Sequence, residues 1–142
     1  MIECTTSLRV RYADTDQMRH AYYGMYFVYF EQGRSDLMRS IGLPYPELEG
    51  MGYLLPVIEA HAIYKKPARY DDLLHIVTTL KDKPVARVRL DYRVYNEERT
   101  EVVAEGYTVH GFLHADTGKP TRAPLQFLDT VEEAMRRVPR KE

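Results

Sequence analysis

Within residues 10–34, VRYADTDQMRHAYYGMYFVYFEQGR, the apolar period switches from two to about 3.6, and the switch falls on an acidic turn. Leu8, Val10 and Tyr12 alternate with Arg9 and Arg11 as in a half-buried strand, which runs into Asp14 and Asp16. From about Tyr23 onward, Tyr26, Phe27, Phe30, Gly33, Leu37 and Ile41 recur at three and four residues, while Glu31, Gln32, Arg34, Asp36 and Arg39 mostly fill the other face. The spacing predicts an amphipathic helix of roughly 18 residues, about 27 Å long, enough to cross a small sheet. The carboxylates therefore stand just before a helix N-terminus, where backbone N–H groups lack intrahelical partners and the helix dipole is positive. Two roles fit them: closing the turn and capping the helix, or working beside N–H donors that favour an oxyanion.

The helix needs a sheet to cover its apolar face, and the rest of the chain supplies strands. Residues 53–64, 73–80, 85–95 and 102–113 each read as a strand bounded by Pro, Asp, Asn, Gly or charged residues. In the third, Val88, Leu90, Tyr92 and Val94 alternate strictly with Arg87, Arg89, Asp91 and Arg93, so one face is dry and one wet. Short links imply antiparallel neighbours. Between helix and sheet, GLPYPELEGMG (42–52) reads as a loop, since Gly suits a helix C′ position and Pro prevents continuation. Residues 116–119 form a turn into a short segment at 120–122. A final helix is predicted from near Thr130, where Glu133 stands at capping-box spacing and Val131, Ala134, Met135 and Val138 give an apolar face. The expected class is α+β: an antiparallel sheet of about five strands against one long helix, with a short C-terminal helix, as a single domain over residues 1–142.

Composition removes several function classes. Lys+Arg and Asp+Glu total 20 and 21, so no global positive field argues for nucleic acid. No apolar run reaches the roughly 18 residues a membrane span needs, none at the N-terminus has signal length, and Cys4 is the only cysteine; a cytoplasmic protein without a disulfide is expected. Of five histidines the one close pair is His110 and His114, about 13 Å apart on a strand, too far for one zinc ion. Gly50 and Gly52 lack the third glycine and following helix of a dinucleotide loop. Ser7, Ser35 and Ser40 stand in no nucleophile-elbow context. Neither metal nor organic cofactor is expected, which leaves carboxylates as the chemistry-bearing groups.

Tyr12, Asp14, Thr15, Asp16, Met18, Tyr22, Tyr26, Tyr29, Phe30, Glu31 and Arg34 together resemble the signature Y-x-D-T-D-x-M-G-x-x-Y-x-x-x-Y-x-x-W/Y-F-E-x-x-R of the 4-hydroxybenzoyl-CoA thioesterase-like branch of the hotdog-fold acyl-CoA thioesterases. A second match, PVIEAHAIYKKPARYDDLL (56–74), resembles the family's P-V-V-E-x-x-x-x-Y-x-x-P-A-x-x-D-D-x-L. The resemblance implies a hotdog fold, a homodimer or homotetramer with sites between protomers, and hydrolysis of an acyl-CoA thioester to a carboxylic acid and free CoA. By the same resemblance Asp16 is the catalytic carboxylate, as nucleophile or general base, and the oxyanion donor is the backbone N–H near Tyr23. Asp14 then orders the turn. His20 matches a common variant and is a possible accessory residue. The chain departs from the pattern at Arg19, where the family has glycine, and at Tyr22 and Tyr23, where that variant has asparagines.

Glu59, in a mostly apolar strand, would be costly to bury unpaired, so it is either an accessory base or a structural partner of Arg34. Coenzyme A carries a 3′-phosphate and a pyrophosphate, for which Lys65, Lys66 and Arg87 are the candidate cations. The alternative function is a non-catalytic acyl-group binding protein of the same fold, favoured if Arg19 blocks the site.

Overall fold

Apolar and polar residues alternate along the strands, and all strand pairing is antiparallel. The computed structural model describes residues 1–137. In chain order the elements are β1 (Ile2–Arg9), a 3₁₀ turn (Tyr12–Asp14), the long helix α1 (Met25–Ser40), a short helix α2 (Tyr45–Gly50), strands β2 (Tyr53–Leu54), β3 (Val57–Tyr64), β4 (Leu73–Leu80), β5 (Arg87–Tyr95), β6 (Val102–His114) and β7 (Pro120–Thr121), and helix α3 (Leu125–Arg137). The sheet runs β1-β4-β5-β6, and β6 carries β3 and β2 as well as β7. Five strands are long and two are two-residue extensions, so the expected class holds: α+β, with one long helix against an antiparallel sheet.

Helix α1 buries Tyr26, Tyr29, Phe30, Gly33, Leu37 and Met38, and packs against β1, β4, β5 and β3. Phe30 stacks on Tyr92 of β5 with ring centroids 4.3 Å apart. Gly33 is required by closeness. A Cβ there would lie 2.3 Å from Thr78 Oγ1 and 3.1 Å from Ile76 Cγ2, so the helix rests directly on β4. Among the described residues β3 is an edge strand, paired on one side only, and Val57, Ile58, Ile63 and Tyr64 are exposed along it.

The structure corrects four local expectations. The first strand stops at Arg9, and Tyr12 is exposed rather than on its dry face, because the Asp14 carboxylate accepts the Arg11 N–H at 3.0 Å and turns the chain. The loop at 42–52 contains α2: Pro46 falls in the first helical turn, where a missing N–H costs nothing, and Leu48 is wholly buried. The strand at 53–64 is divided by Leu55 and Pro56 into β2 and β3. Helix α3 begins at Leu125, not near Thr130, whose hydroxyl instead donates back to the Gln126 carbonyl at 2.7 Å. The earlier start brings in Phe127, which packs on Phe112 with centroids 5.1 Å apart. Val138, expected on that helix, lies outside the described residues. Among the described residues no helix is long and apolar enough to cross a membrane.

Candidate active site

The two aspartates that follow β1 have different surroundings. Asp14 is buried, and its carboxylate accepts the Arg11 N–H (3.0 Å), the Arg11 guanidinium (3.1 and 2.9 Å) and the Tyr29 hydroxyl (2.9 Å). Burial alone would push this carboxyl up, but the Arg11 and Tyr29 donors outweigh it and hold its pKa below the usual carboxylate range. Every lone-pair direction that matters is used, so Asp14 ties β1's end to α1. That is the turn-ordering role expected of it.

Asp16 is half-buried and only partly engaged. Its Oδ1 accepts the Met18 N–H at 2.9 Å, an Asx-type turn, while Oδ2 has no donor among the described residues. The backbone closes around it: Asp16 N donates to the His20 carbonyl (3.0 Å) and Arg19 N to the Asp16 carbonyl (2.9 Å). This tight closure places Arg19 at φ 66°, the left-handed region that a glycine would occupy without strain. Arg19 itself is exposed and does not line the cavity beside Asp16.

That cavity, about 330 Å³, is lined by Asp16, His20, Tyr23, Tyr64, Lys65 and Lys66 among others. At its helical end the peptide groups are ordered. Tyr22 O accepts Met25 N at 2.9 Å, and Tyr23 O accepts Tyr26 N at 3.3 Å and the Tyr64 hydroxyl at 2.9 Å. The N–H groups of Tyr23 and Gly24, which belong to those same two peptides, have no acceptor among the described residues. Gly24 is helical (φ −64°, ψ −23°), so these N–H groups point back out of the N-terminal end of α1. A carboxylate oxygen and the Tyr23 N–H, both without a partner among the described residues and both on one cavity, can attack, or activate water toward, a carbonyl while stabilising its developing oxyanion.

Five of the expected residues, Asp16, Tyr23, His20, Lys65 and Lys66, are brought together here. Lys65 pairs with Glu105 at 3.1 Å and Lys66 with Glu101, both pairs solvent-facing. Arg87 is not part of this cavity; it opens β5 and borders a separate depression with Lys81, Lys83 and Arg89. Glu59 is also elsewhere and is exposed rather than inward. A bulge between Val57 and Glu59 changes the alternation of β3. The Glu59 carboxylate thus lies on the side of Tyr107, and its negative charge pushes that phenol up. The expected pairing with Arg34 is not made: among the described residues Arg34 has no carboxylate within 4 Å. Arg34 instead faces the buried polar layer of Tyr45, Tyr92 and His110, and burial together with this cation lowers the His110 pKa to about 4.

No cluster of three His, Cys, Asp or Glu that could hold a metal ion occurs among the described residues. His110 uses its ring nitrogens on Thr108 Oγ1 (2.8 Å) and the Leu55 carbonyl (3.2 Å). The residue that sequence reasoning passed over is Tyr64. It stands in the second motif, but nothing in a strand pattern shows that its hydroxyl reaches the start of α1, 41 residues away.

The family model described as the thioesterase-like superfamily matches residues 10–135. YneP of Bacillus subtilis, whose name assigns it provisionally to the acyl-CoA thioesterases, is 36% identical over 122 residues, which span 86% of this chain and 88% of that one. The acyl-CoA thioester hydrolase YbgC of Escherichia coli is 28% identical over 93 residues, 66% of this chain and 69% of that one. Among solved structures, a DHNA-CoA thioesterase from Staphylococcus aureus superposes with a TM-score of 0.87 at 32% identity, covering 96% of this chain and 90% of the other.

Proposed function

The chain belongs to the thioesterase-like superfamily, and on that premise we propose that it hydrolyses acyl-CoA thioesters to a carboxylic acid and free CoA, with Asp16 as the catalytic carboxylate. The observation that carries this reading is the Asp16 carboxylate on the same cavity as Tyr23, with Asp16 Oδ2 and the Tyr23 N–H both unpaired among the described residues. A thioester carbonyl is poorly resonance-stabilised and thiolate leaves readily, so one carboxylate and one or two N–H donors suffice without metal or organic cofactor. As nucleophile, Asp16 attacks the carbonyl carbon, the C–S bond breaks, CoA leaves as thiolate, and water cleaves the resulting anhydride. As general base, Asp16 takes a proton from water, which attacks directly, and the proton goes to the departing thiolate. In either route the Tyr23 N–H receives the oxyanion. Single turnover in ¹⁸O-water separates the routes, since only the anhydride can place label in the Asp16 side chain.

Lys65 and Lys66, at the cavity rim, are read as contacts for the CoA phosphates, with His20 as an accessory group. Arg87 serves a CoA held chiefly by another copy of the chain, since it does not border its own protomer's cavity. The exposed apolar edge strand β3 supports a homodimer, or a homotetramer built from it, because an unpaired edge of eight residues is an invitation to a second copy. Glu59, beside Tyr107 on that strand, belongs to the interface rather than to the chemistry. The single cysteine suits a reducing cytoplasm. The alternative of a non-catalytic acyl-group binding protein needs Arg19 to obstruct the site, and Arg19 lies exposed outside the cavity lining. A panel of aliphatic and aromatic acyl-CoAs assayed for free thiol tests the proposal. Turnover of at least one class is expected; binding without thiol release from any member would leave the binding protein as the reading.

A further inference from the structure

The start of α1 is held from the sheet by a side chain to which no role has been given. Tyr64, the last residue of β3, donates its hydroxyl to the Tyr23 carbonyl at 2.9 Å. Its ring lies edge-on to Tyr26 (centroids 5.1 Å) and to Tyr23 (6.3 Å), so it is wedged between the two residues it orients. Residues just beyond it grip the acidic turn: Ala21 N donates to the Ala68 carbonyl at 2.7 Å, and His20 bridges to Arg69. The segment after β3 is itself anchored, through Lys65 N to Val103 O at 2.9 Å. The Asp16 turn, the first turn of α1 and the end of β3 are therefore one bonded unit.

The Tyr23–Gly24 peptide needs this bond more than its neighbour does. The Tyr22–Tyr23 peptide is fixed by Met25 N on Tyr22 O at 2.9 Å, an ordinary helical turn. For the next peptide the intrahelical bond, Tyr26 N to Tyr23 O, is long at 3.3 Å. The shorter bond on that carbonyl is the one from Tyr64. With the Met25 N–H on the Tyr22 carbonyl and the Tyr64 hydroxyl on the Tyr23 carbonyl, both planar peptides flanking Tyr23 are held, and the direction of the Tyr23 N–H is fixed with them. We propose that Tyr64 is a positioning residue: by holding the Tyr23 carbonyl and packing against the Tyr23 ring it keeps the Tyr23 N–H, the oxyanion donor, aimed into the Asp16 cavity. This rests on the thioesterase reading of the Asp16 cavity and adds to it the residue that aims its donor. Preorganised donors act because they need no reorganisation as charge develops, and a donor free to rock loses that advantage.

Tyr64→Phe removes the hydroxyl and leaves the ring, so the apolar surface of β3 is kept; melting temperature and sedimentation check that folding and assembly are retained. The expected result is a kcat roughly 10- to 100-fold lower with KM within about twofold of wild type, because the donor polarises the bound thioester carbonyl only weakly and its hold strengthens as charge develops on the oxygen. A second readout needs no turnover. With ¹³C-carbonyl benzoyl-CoA bound in the Asp16→Asn background, the carbonyl stretch lies below its position in water, and adding Tyr64→Phe moves it back up. Unchanged kcat, or a carbonyl band unmoved by Tyr64→Phe, overturns the proposal. A wild-type protein that binds benzoyl-CoA yet hydrolyses no acyl-CoA sinks the hydrolase reading while the band shift still decides the role of Tyr64. Failure to bind any acyl-CoA overturns both.

Discussion

Asp14→Asn separates the structural aspartate from the one proposed to act on the thioester, and its cost follows from the bonds Asp14 makes. Asn keeps the volume but presents one oxygen and one NH₂. The least disruptive placement keeps the oxygen on the buried Tyr29 hydroxyl and the Arg11 N–H, and turns NH₂ toward the guanidinium. Each of the two retained bonds falls from a charge-assisted to a neutral value, a loss of about 1 kcal/mol apiece. The Arg11 side chain is 70% exposed, so its ion pair is screened and adds only about 0.5 kcal/mol. The sum is about 2–3 kcal/mol, or a melting temperature lower by roughly 6–12 °C for a chain of this size. The pH dependence is fixed by sign: the folded pKa lies below the unfolded value of about 3.9, so the stabilisation is fully present above that value and is lost as pH falls through the folded pKa. Urea unfolding followed by circular dichroism, at fixed protomer concentration, should show the gap at pH 7 and its progressive closure as pH falls through the folded pKa. A loss under about 0.5 kcal/mol at pH 7, or one equally large at low pH, would refute the reasoning.

Three further substitutions probe the surroundings of the site. Arg19→Gly should stabilise by about 0.5–1 kcal/mol, since relief of the left-handed backbone exceeds the added freedom of glycine in the unfolded chain; an unchanged or lower unfolding midpoint contradicts this. Gly33→Ala should destabilise by about 1–2 kcal/mol although alanine favours helix by up to about 1 kcal/mol, because the new methyl meets a β-branched, fully buried Thr78; a more stable variant would mean the helix is not seated so closely. Lys66→Ala should raise KM for acyl-CoA several-fold with kcat nearly unchanged, and the effect should fade in high salt; a salt-independent KM equal to wild type would make Lys66 no more than the partner of Glu101.

Periodicity made the long helix and the strands legible because burial on one face leaves a direct trace in the order of residues, as in Val88 to Val94 against Arg87 to Arg93. The misplaced boundaries share a different cause. Pro46 reads as a helix breaker yet sits where proline is harmless, and Thr130 reads as a cap yet bonds backward inside α3, since sequence does not reveal which turn of a helix a residue will occupy. At the site, the proposed division of labour between Asp14 and Asp16 comes from resemblance; spacing treats the two alike, and the structure distinguishes them by the Arg11 and Tyr29 donors on Asp14. Glu59 was misread as inward because one bulge in β3 reverses which face a residue takes. Tyr64 was missed because its contact is long-range, through a hydroxyl on a backbone carbonyl.

The role of Asp16 is tested most directly by the rate of thiol release from the best acyl-CoA substrate, wild type against Asp16→Asn. The substitution can keep an oxygen on the Met18 N–H and nearly the same volume, while removing the charge needed to attack the thioester or to activate water. The rate should fall by at least about 10²- to 10⁴-fold with the melting temperature almost unmoved, whereas Asp14→Asn should lower the rate far less and the melting temperature far more. A fully folded Asp16→Asn enzyme within tenfold of the wild-type rate would contradict the assignment and remove the carboxylate from the chemistry.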